Sequence, residues 1–158
     1  MRKIIHKVIF FGPLFTQAER TWNRLLKQAI EKESDGGFHI VLSQDEAAVF
    51  VTDKIDIDGI VAGCLNNAKS YDLAIAILDG PDVDSGTCVE IGFRKGNNRA
   101  LPILGIRTDL RSSEDGGTNA MLRICDKKIY FPSFNESVTG LAQKIVKELK
   151  LMAKDIRK

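Results

Sequence analysis

Five short apolar runs recur along the chain, separated by amphipathic or polar stretches. Val8–Phe11 ends at Gly12-Pro13, and Phe38–Leu42 follows the Gly36-Gly37 break. Leu73–Leu78, Leu101–Ile106 and Lys128–Phe131 complete the set. Runs of this length, closed by glycine, proline or acidic turns, read as strands. Leu73–Leu78 is apolar on both faces, as buried parallel strands are. Between the runs the period changes. Thr16 with Glu19 three residues on forms a capping box, and Trp22, Leu25, Leu26 and Ala29 continue as a helical stripe. Residues 43–53 read as a loop or short helix. Ile55–Lys69 reads as a helix weakened by Gly59 and Gly63, and Thr87–Gly96 as another. A charged loop from Thr108 to Gly117 precedes a helical turn at Asn119–Ile124. Ser133-Phe134-Asn135-Glu136 is a capping box for a last helix ending near Asp155. Strands alternating with helical patterns predict βαβ units, hence an α/β fold on a five-stranded parallel sheet. No linker or repeat divides the chain, so residues 1–158 are expected to form one domain.

Composition narrows the function classes. The 44% of apolar residues suffices for a core, and a formal charge of +2 carries no nucleic-acid signature. Cys64, Cys88 and Cys125 are odd in number and lack CxxC spacing, so neither a disulfide frame nor a zinc site is expected. A reduced, cytoplasmic setting follows. The N-terminal residues have no signal-peptide core, and no apolar run approaches the length of a membrane span. The lysine-rich C-terminus matches the negative end of a helix dipole.

Candidate chemistry concentrates in residues 77–92, Ile-Leu-Asp-Gly-Pro-Asp-Val-Asp-Ser-Gly-Thr-Cys-Val-Glu-Ile-Gly. Strand end, acidic loop and helix start follow one another there, the place where open α/β sheets keep their ligands. Glu90 is expected in the first turn or so of the helix. The dipole and free N–H groups there would favour its ionised, nucleophilic form, or it is an acid placed for helix stability alone. Asp79, Asp82 and Asp84 suit a divalent cation or sugar hydroxyls, or form a solvated loop. Gly12-Pro13-Leu14-Phe15 matches neither phosphate-loop pattern. Leu14 and Phe15 offer an apolar wall for a flat ligand, with core packing the alternative for Phe15. Asn119 is as readily a cap as a ligand contact. His6 and His39 stand beside no nucleophile signal.

Together these residues resemble the nucleoside 2-deoxyribosyltransferase family. The resemblance rests on Phe10–Phe15, on Leu78-Asp79-Gly80-Pro81, and on Asp84 followed six residues later by Glu90, Ile91 and Gly92. Gly105–Arg111 and Asn119–Leu122 resemble the family's later segments. The resemblance implies a flavodoxin-like (Rossmann-like) three-layer sandwich and a reaction without cofactor or metal. It implies Glu90 as nucleophile, forming a glycosyl-enzyme, and Asp84 as the acceptor of the sugar 5′-hydroxyl. Gly12, Pro13, Leu14, Phe15 and Gly86 would line the substrate site. Asn119 and Met121 would complete it from a neighbouring subunit, so a homo-oligomer is implied. Substrates would be deoxynucleosides and free nucleobases, with retention through two displacements as in retaining glycosidases.

Two positions depart from the family pattern. Ile9 stands where a first-strand Tyr often orients the nucleophile, unless Phe10 or Phe11 is shifted into the place. Cys64 stands where the acid that protonates the leaving base is expected, eight residues before Asp72. Asp79 is then the nearest acid by sequence and the expected catalytic donor; Asp58 would serve only on a longer or shifted helix. Two other functions compete: an N-glycoside hydrolase of deoxynucleoside 5′-monophosphates, and a non-catalytic nucleoside-binding module on the same fold.

Overall fold

The computed structural model describes residues 5–111, 117–132, 134 and 136–156. Five strands, β1 (His6–Phe11), β2 (Phe38–Leu42), β3 (Leu73–Ile77), β4 (Ile103–Arg107) and β5 (Lys127–Tyr130), form one sheet in the order β2-β1-β3-β4-β5. Every pairing is parallel. Helices cover both faces, giving the flavodoxin-like sandwich. Period-two alternation along β1 divides the core. Val8 and Phe10 join the layer under α1 (Gln17–Glu33) and α5 (Val138–Asp155), while Ile9 and Phe11 join the opposite layer. That second layer lies against α4 (Ser85–Asn97), with α3 (Ile57–Ser70) packed beside it. A short helix, α2 (Ser43–Ala48), follows β2 directly, and a 3₁₀ turn at Ala120–Ile124 precedes β5.

Element order agrees with the sequence reading, while several boundaries move for local reasons. The Thr16–Glu19 capping box forms as expected, both bonds being present. Helix α3 begins after Asp56, whose carboxylate accepts the Gly59 amide at 2.9 Å. A side chain at Gly59 would collide with the Phe50 ring and the Asp56 carboxylate, so this glycine serves close packing. Helix α4 begins at Ser85 rather than Thr87, because Asp84 is its N-cap. Helix α5 is capped by Ser137, four residues later than expected. Ser133 and Asn135 of the expected capping box lie outside the described residues.

At the edge of the sheet away from the acidic loop, Arg94 is fully buried. Its guanidinium donates to the carbonyls of Ala68 at 2.7 Å and Asp72 at 3.0 Å, with a longer bond to Pro102 at 3.4 Å. One side chain thus ties the end of α3 to the starts of β3 and β4. Arg94→Ala should lower stability by about 3–5 kcal/mol, since it leaves buried carbonyls unpaired and a cavity behind. Urea denaturation checks this.

Candidate active site

The C-terminal edge of the sheet carries a cavity of about 440 Å³ between β1, α2, α3 and the head of α4. Gly12, Leu14 and Phe15 form one wall. Val51 and the α3 residues Ile60, Val61, Cys64 and Leu65 form another, and Asp84, Gly86 and Glu90 close the base with their neighbours. The lining is predominantly apolar, the character expected of a site for a flat organic ligand.

The first wall is held from α1. Arg20 donates to the carbonyls of Leu14 and Phe15, both at 2.8 Å. Asn23, buried, donates to the Pro13 carbonyl at 2.9 Å and to Gln44 at 3.0 Å. Pro13 therefore braces the loop and is not among the cavity-lining residues. Phe15 projects into solvent, 72% exposed, and is not core.

Glu90 is only 8% exposed and lies in the second turn of α4, past the free N–H groups. This corrects the expectation of a helix-start acid held ionised. Burial pushes its carboxyl up to about 8, opposed by a hydrogen bond from Ser43 and reinforced by the negative charge of Asp84. Ser43 Oγ lies 3.3 Å from Glu90 Oε1. The Cys64 thiol lines the cavity beside this carboxyl, and burial, reinforced by the Glu90 charge, pushes the thiol itself up to about 11. Cys64 thus occupies the site as a neutral neighbour of Glu90.

Asp84 uses Oδ2 to cap α4, accepting from Thr87 N at 2.8 Å and Thr87 Oγ1 at 3.0 Å. The cap fixes the half-buried carboxylate at the cavity, six residues before Glu90.

Asp79 is placed elsewhere. Its Oδ1 accepts from Thr108 N at 2.5 Å and Asp109 N at 2.9 Å, and its Oδ2 from Thr108 Oγ1 at 2.7 Å. Both oxygens are turned toward the end of β4, and Asp79 is not among the cavity-lining residues. The nearest acid by sequence is thus a staple between two strand ends. Buried Arg107 adds to it, donating to the carbonyls of Leu78 at 2.5 Å and Gly80 at 3.2 Å. Gly80 turns the loop at φ +112°, a conformation that side chains rarely adopt. Asp58 is exposed in the first turn of α3, and it too is absent from the lining.

Asn119 and Met121 lie in a different hollow of the same chain, with Asp82, Val83 and Cys88. The Asn119 side chain caps the 3₁₀ turn through Met121 N at 2.9 Å, and Met121 is 80% exposed. Among the described residues no group of three His, Cys, Asp or Glu is placed to hold a metal ion, and no helix is long and apolar enough to cross a membrane.

The profile of the family described as nucleoside 2-deoxyribosyltransferase matches residues 8–149. The chain belongs to that family, a family of enzymes named for deoxyribosyl transfer on nucleosides. Solved structures share its fold. A conserved protein from Enterococcus faecalis V583 superposes with a TM-score of 0.71 at 24% identity, over 91% of this chain and 99% of that one. A 2-deoxyribosyltransferase from Bacillus psychrosaccharolyticus gives 0.60 at 16% identity, over 86% and 90%. A CMP N-glycosidase from Clostridium botulinum gives 0.54 at 15% identity, over 92% and 98%. No curated protein matches the chain significantly.

Proposed function

We propose that the protein transfers 2-deoxyribose between nucleobases of deoxynucleosides, with Glu90 as the covalent nucleophile. One observation carries this reading: a buried carboxyl, Glu90, and a fixed carboxylate, Asp84, share the base of an apolar cavity. The ionised Glu90 attacks the anomeric carbon, the C–N bond breaks toward the departing base, and a glycosyl ester forms on Glu90. A second base then attacks the anomeric carbon, gives up its ring N–H proton to the hydroxide left when water protonated the first base, and releases Glu90, giving retention through two inversions. Asp84 receives the 5′-hydroxyl. Leu14, Phe15 and Val61 bracket the base. Among the described residues the cavity lining holds no carboxyl besides Glu90 and Asp84, so the departing base takes its proton from water. Three free cysteines support a reducing, cytoplasmic setting.

Incubation with deoxyinosine and free adenine should yield deoxyadenosine and hypoxanthine by chromatography. Free deoxyribose without deoxyadenosine would make the protein a hydrolase. Binding of deoxyinosine without turnover would make it a binding module.

The reading includes a site completed by Asn119 and Met121 of a neighbouring copy. Its support is the exposure of Met121 and the apolar rim of the cavity, where Val51, Val61 and Val89 are 51%, 52% and 60% exposed. Asn119→Ala should lower kcat/KM by about 10–100-fold, the loss of one or two substrate contacts. Co-expression of Asn119→Ala with Glu90→Gln should give activity above that of either variant alone, because some mixed sites would be intact. Absence of complementation in a mixed oligomer would confine each site to one chain.

A further inference from the structure

Glu90 has a neighbour that no sequence signal marked. Ser43, the first residue of α2, is 5% exposed, and its Oγ lies 3.0 Å from the Phe10 carbonyl oxygen and 3.3 Å from Glu90 Oε1. Phe10 sits beside Leu42 in the β1–β2 register, so parallel pairing delivers the following residue to the strand end where Glu90 rests. A hydroxyl has one hydrogen and two lone pairs. It cannot donate to both oxygens at once. When Glu90 is a carboxylic acid, its own O–H donates to Ser43 Oγ while Ser43 donates to Phe10. When Glu90 is a carboxylate, the Ser43 hydrogen must turn to Oε1, and the Phe10 carbonyl gives it up.

We propose that Ser43 is the positioning residue of this active site: a two-way hydroxyl that holds Glu90 in both protonation states and favours the carboxylate the reaction needs. The proposal rests on the reading of Glu90 as nucleophile. The first strand offers no hydroxyl on this face, since Ile9 and Phe11 are both fully buried apolar residues. The chain therefore supplies the orienting hydroxyl from the end of β2. The ionisable groups facing Glu90 are Asp84, at the head of its own helix, and Cys64, on α3. The charged residues of α2, Asp45 and Glu46, are exposed and are not among the groups that shift it. Asp84 opposes ionisation by like charge. Cys64, a weak donor, and Ser43 favour it.

The sign follows from bond strengths. A hydrogen bond to a charged acceptor is roughly twice as strong as one between neutral groups. Removing the hydroxyl therefore costs the carboxylate more than the acid, and Glu90 should hold its proton to higher pH.

The test is a pH titration of Glu90 by ¹³C NMR on protein labelled at the glutamate δ-carbon, the Glu90 resonance being identified by its loss in Glu90→Gln. Ser43→Ala, or Ser43→Gly if the alanine variant fails to fold, should raise the midpoint by roughly one pH unit. Ser43→Thr, which keeps the hydroxyl, should leave it near that of the unaltered protein. The acidic limb of kcat/KM should move with the NMR midpoint, so that activity near neutrality falls about tenfold and recovers at alkaline pH. A purely structural Ser43 would lower activity equally at all pH values. An unmoved Glu90 midpoint in the hydroxyl-free variant overturns the proposal. The titration needs no turnover, so a moved midpoint in a protein without transferase activity would overturn the transferase reading and leave the Ser43–Glu90 coupling standing.

Discussion

Glu90→Gln should reduce transfer by at least about 10³-fold, since an amide cannot form the glycosyl ester and the two-displacement route is lost. The same substitution should stabilise the fold at alkaline pH. The Glu90 carboxyl titrates near 8 in the folded chain, well above its ordinary value of 4.5. A raised carboxyl pKa means that the folded state keeps a proton the unfolded chain has already released. Stability from this group is complete below about pH 4.5 and is lost as pH rises through 8. The buried site therefore costs on the order of a few kcal/mol at alkaline pH, and the neutral glutamine does not incur it. Glu90→Gln should unfold at higher denaturant concentration than the unaltered protein at pH 9 and at nearly equal concentration at pH 4. In the active enzyme the same titration appears as an acidic limb, with kcat/KM rising with pH through about 8. Turnover of deoxyinosine by Glu90→Gln at near the unaltered rate would remove the covalent mechanism. A flat pH profile would show that Glu90 ionises before the range measured.

What the sequence disclosed and what it hid divide along contact order. Strands announced themselves because parallel burial makes them continuously apolar, as Leu73–Ile77 shows with every residue buried. The Asp84–Glu90 pair was legible because both carboxylates ride on one loop and one helix, six residues apart. Helix starts were less legible. Asp84 reads from the sequence as a candidate ligand group, and its role as the N-cap of α4 moves the helix start from Thr87 to Ser85. Sequence proximity then misled twice. Asp79 is close to Glu90 along the chain, yet the parallel neighbour β4 offers Thr108 and Asp109, and its carboxylate turns there. Glu90 itself was expected to be ionised by the helix start, whereas burial decides its charge. Ser43, Arg20 and Asn23 were not identified because nothing local marks them. They reach the site only through the β1–β2 pairing and the packing of α1 against the loop after β1, contacts between segments far apart in sequence. The available signal is negative: Ile9 stands where the family resemblance places an orienting hydroxyl on the first strand.

Asp84 should make the enzyme select a free 5′-hydroxyl against a 5′-phosphate. Its Oδ2 is fixed by the Thr87 amide and hydroxyl, so the carboxylate cannot swing away from the cavity without uncapping α4. Its charge raises the Glu90 pKa across the site, in addition to the larger effect of burial. A hydroxyl donates to such a carboxylate, worth about 1.5–3 kcal/mol because the acceptor is charged. A phosphate meets it with like charge, roughly 4 kcal/mol per close pair at intermediate dielectric. Deoxyinosine should therefore exceed its 5′-monophosphate in kcat/KM by about 10²–10³-fold, and Asp84→Ser should narrow the gap by at least about tenfold. Serine can still cap α4, so the fold should hold. Asp84→Asn separates charge from hydrogen bonding, since the amide oxygen still accepts from the 5′-hydroxyl while the repulsion is gone. Both substitutions should also lower the Glu90 midpoint, the opposite direction from Ser43→Ala, because they remove a like charge rather than a donor. Kinetics with the two substrates on the three forms decide the matter. Equal or better use of the monophosphate by the unaltered protein would place the activity with monophosphate hydrolysis, and an unchanged preference in both variants would remove Asp84 from the 5′ position.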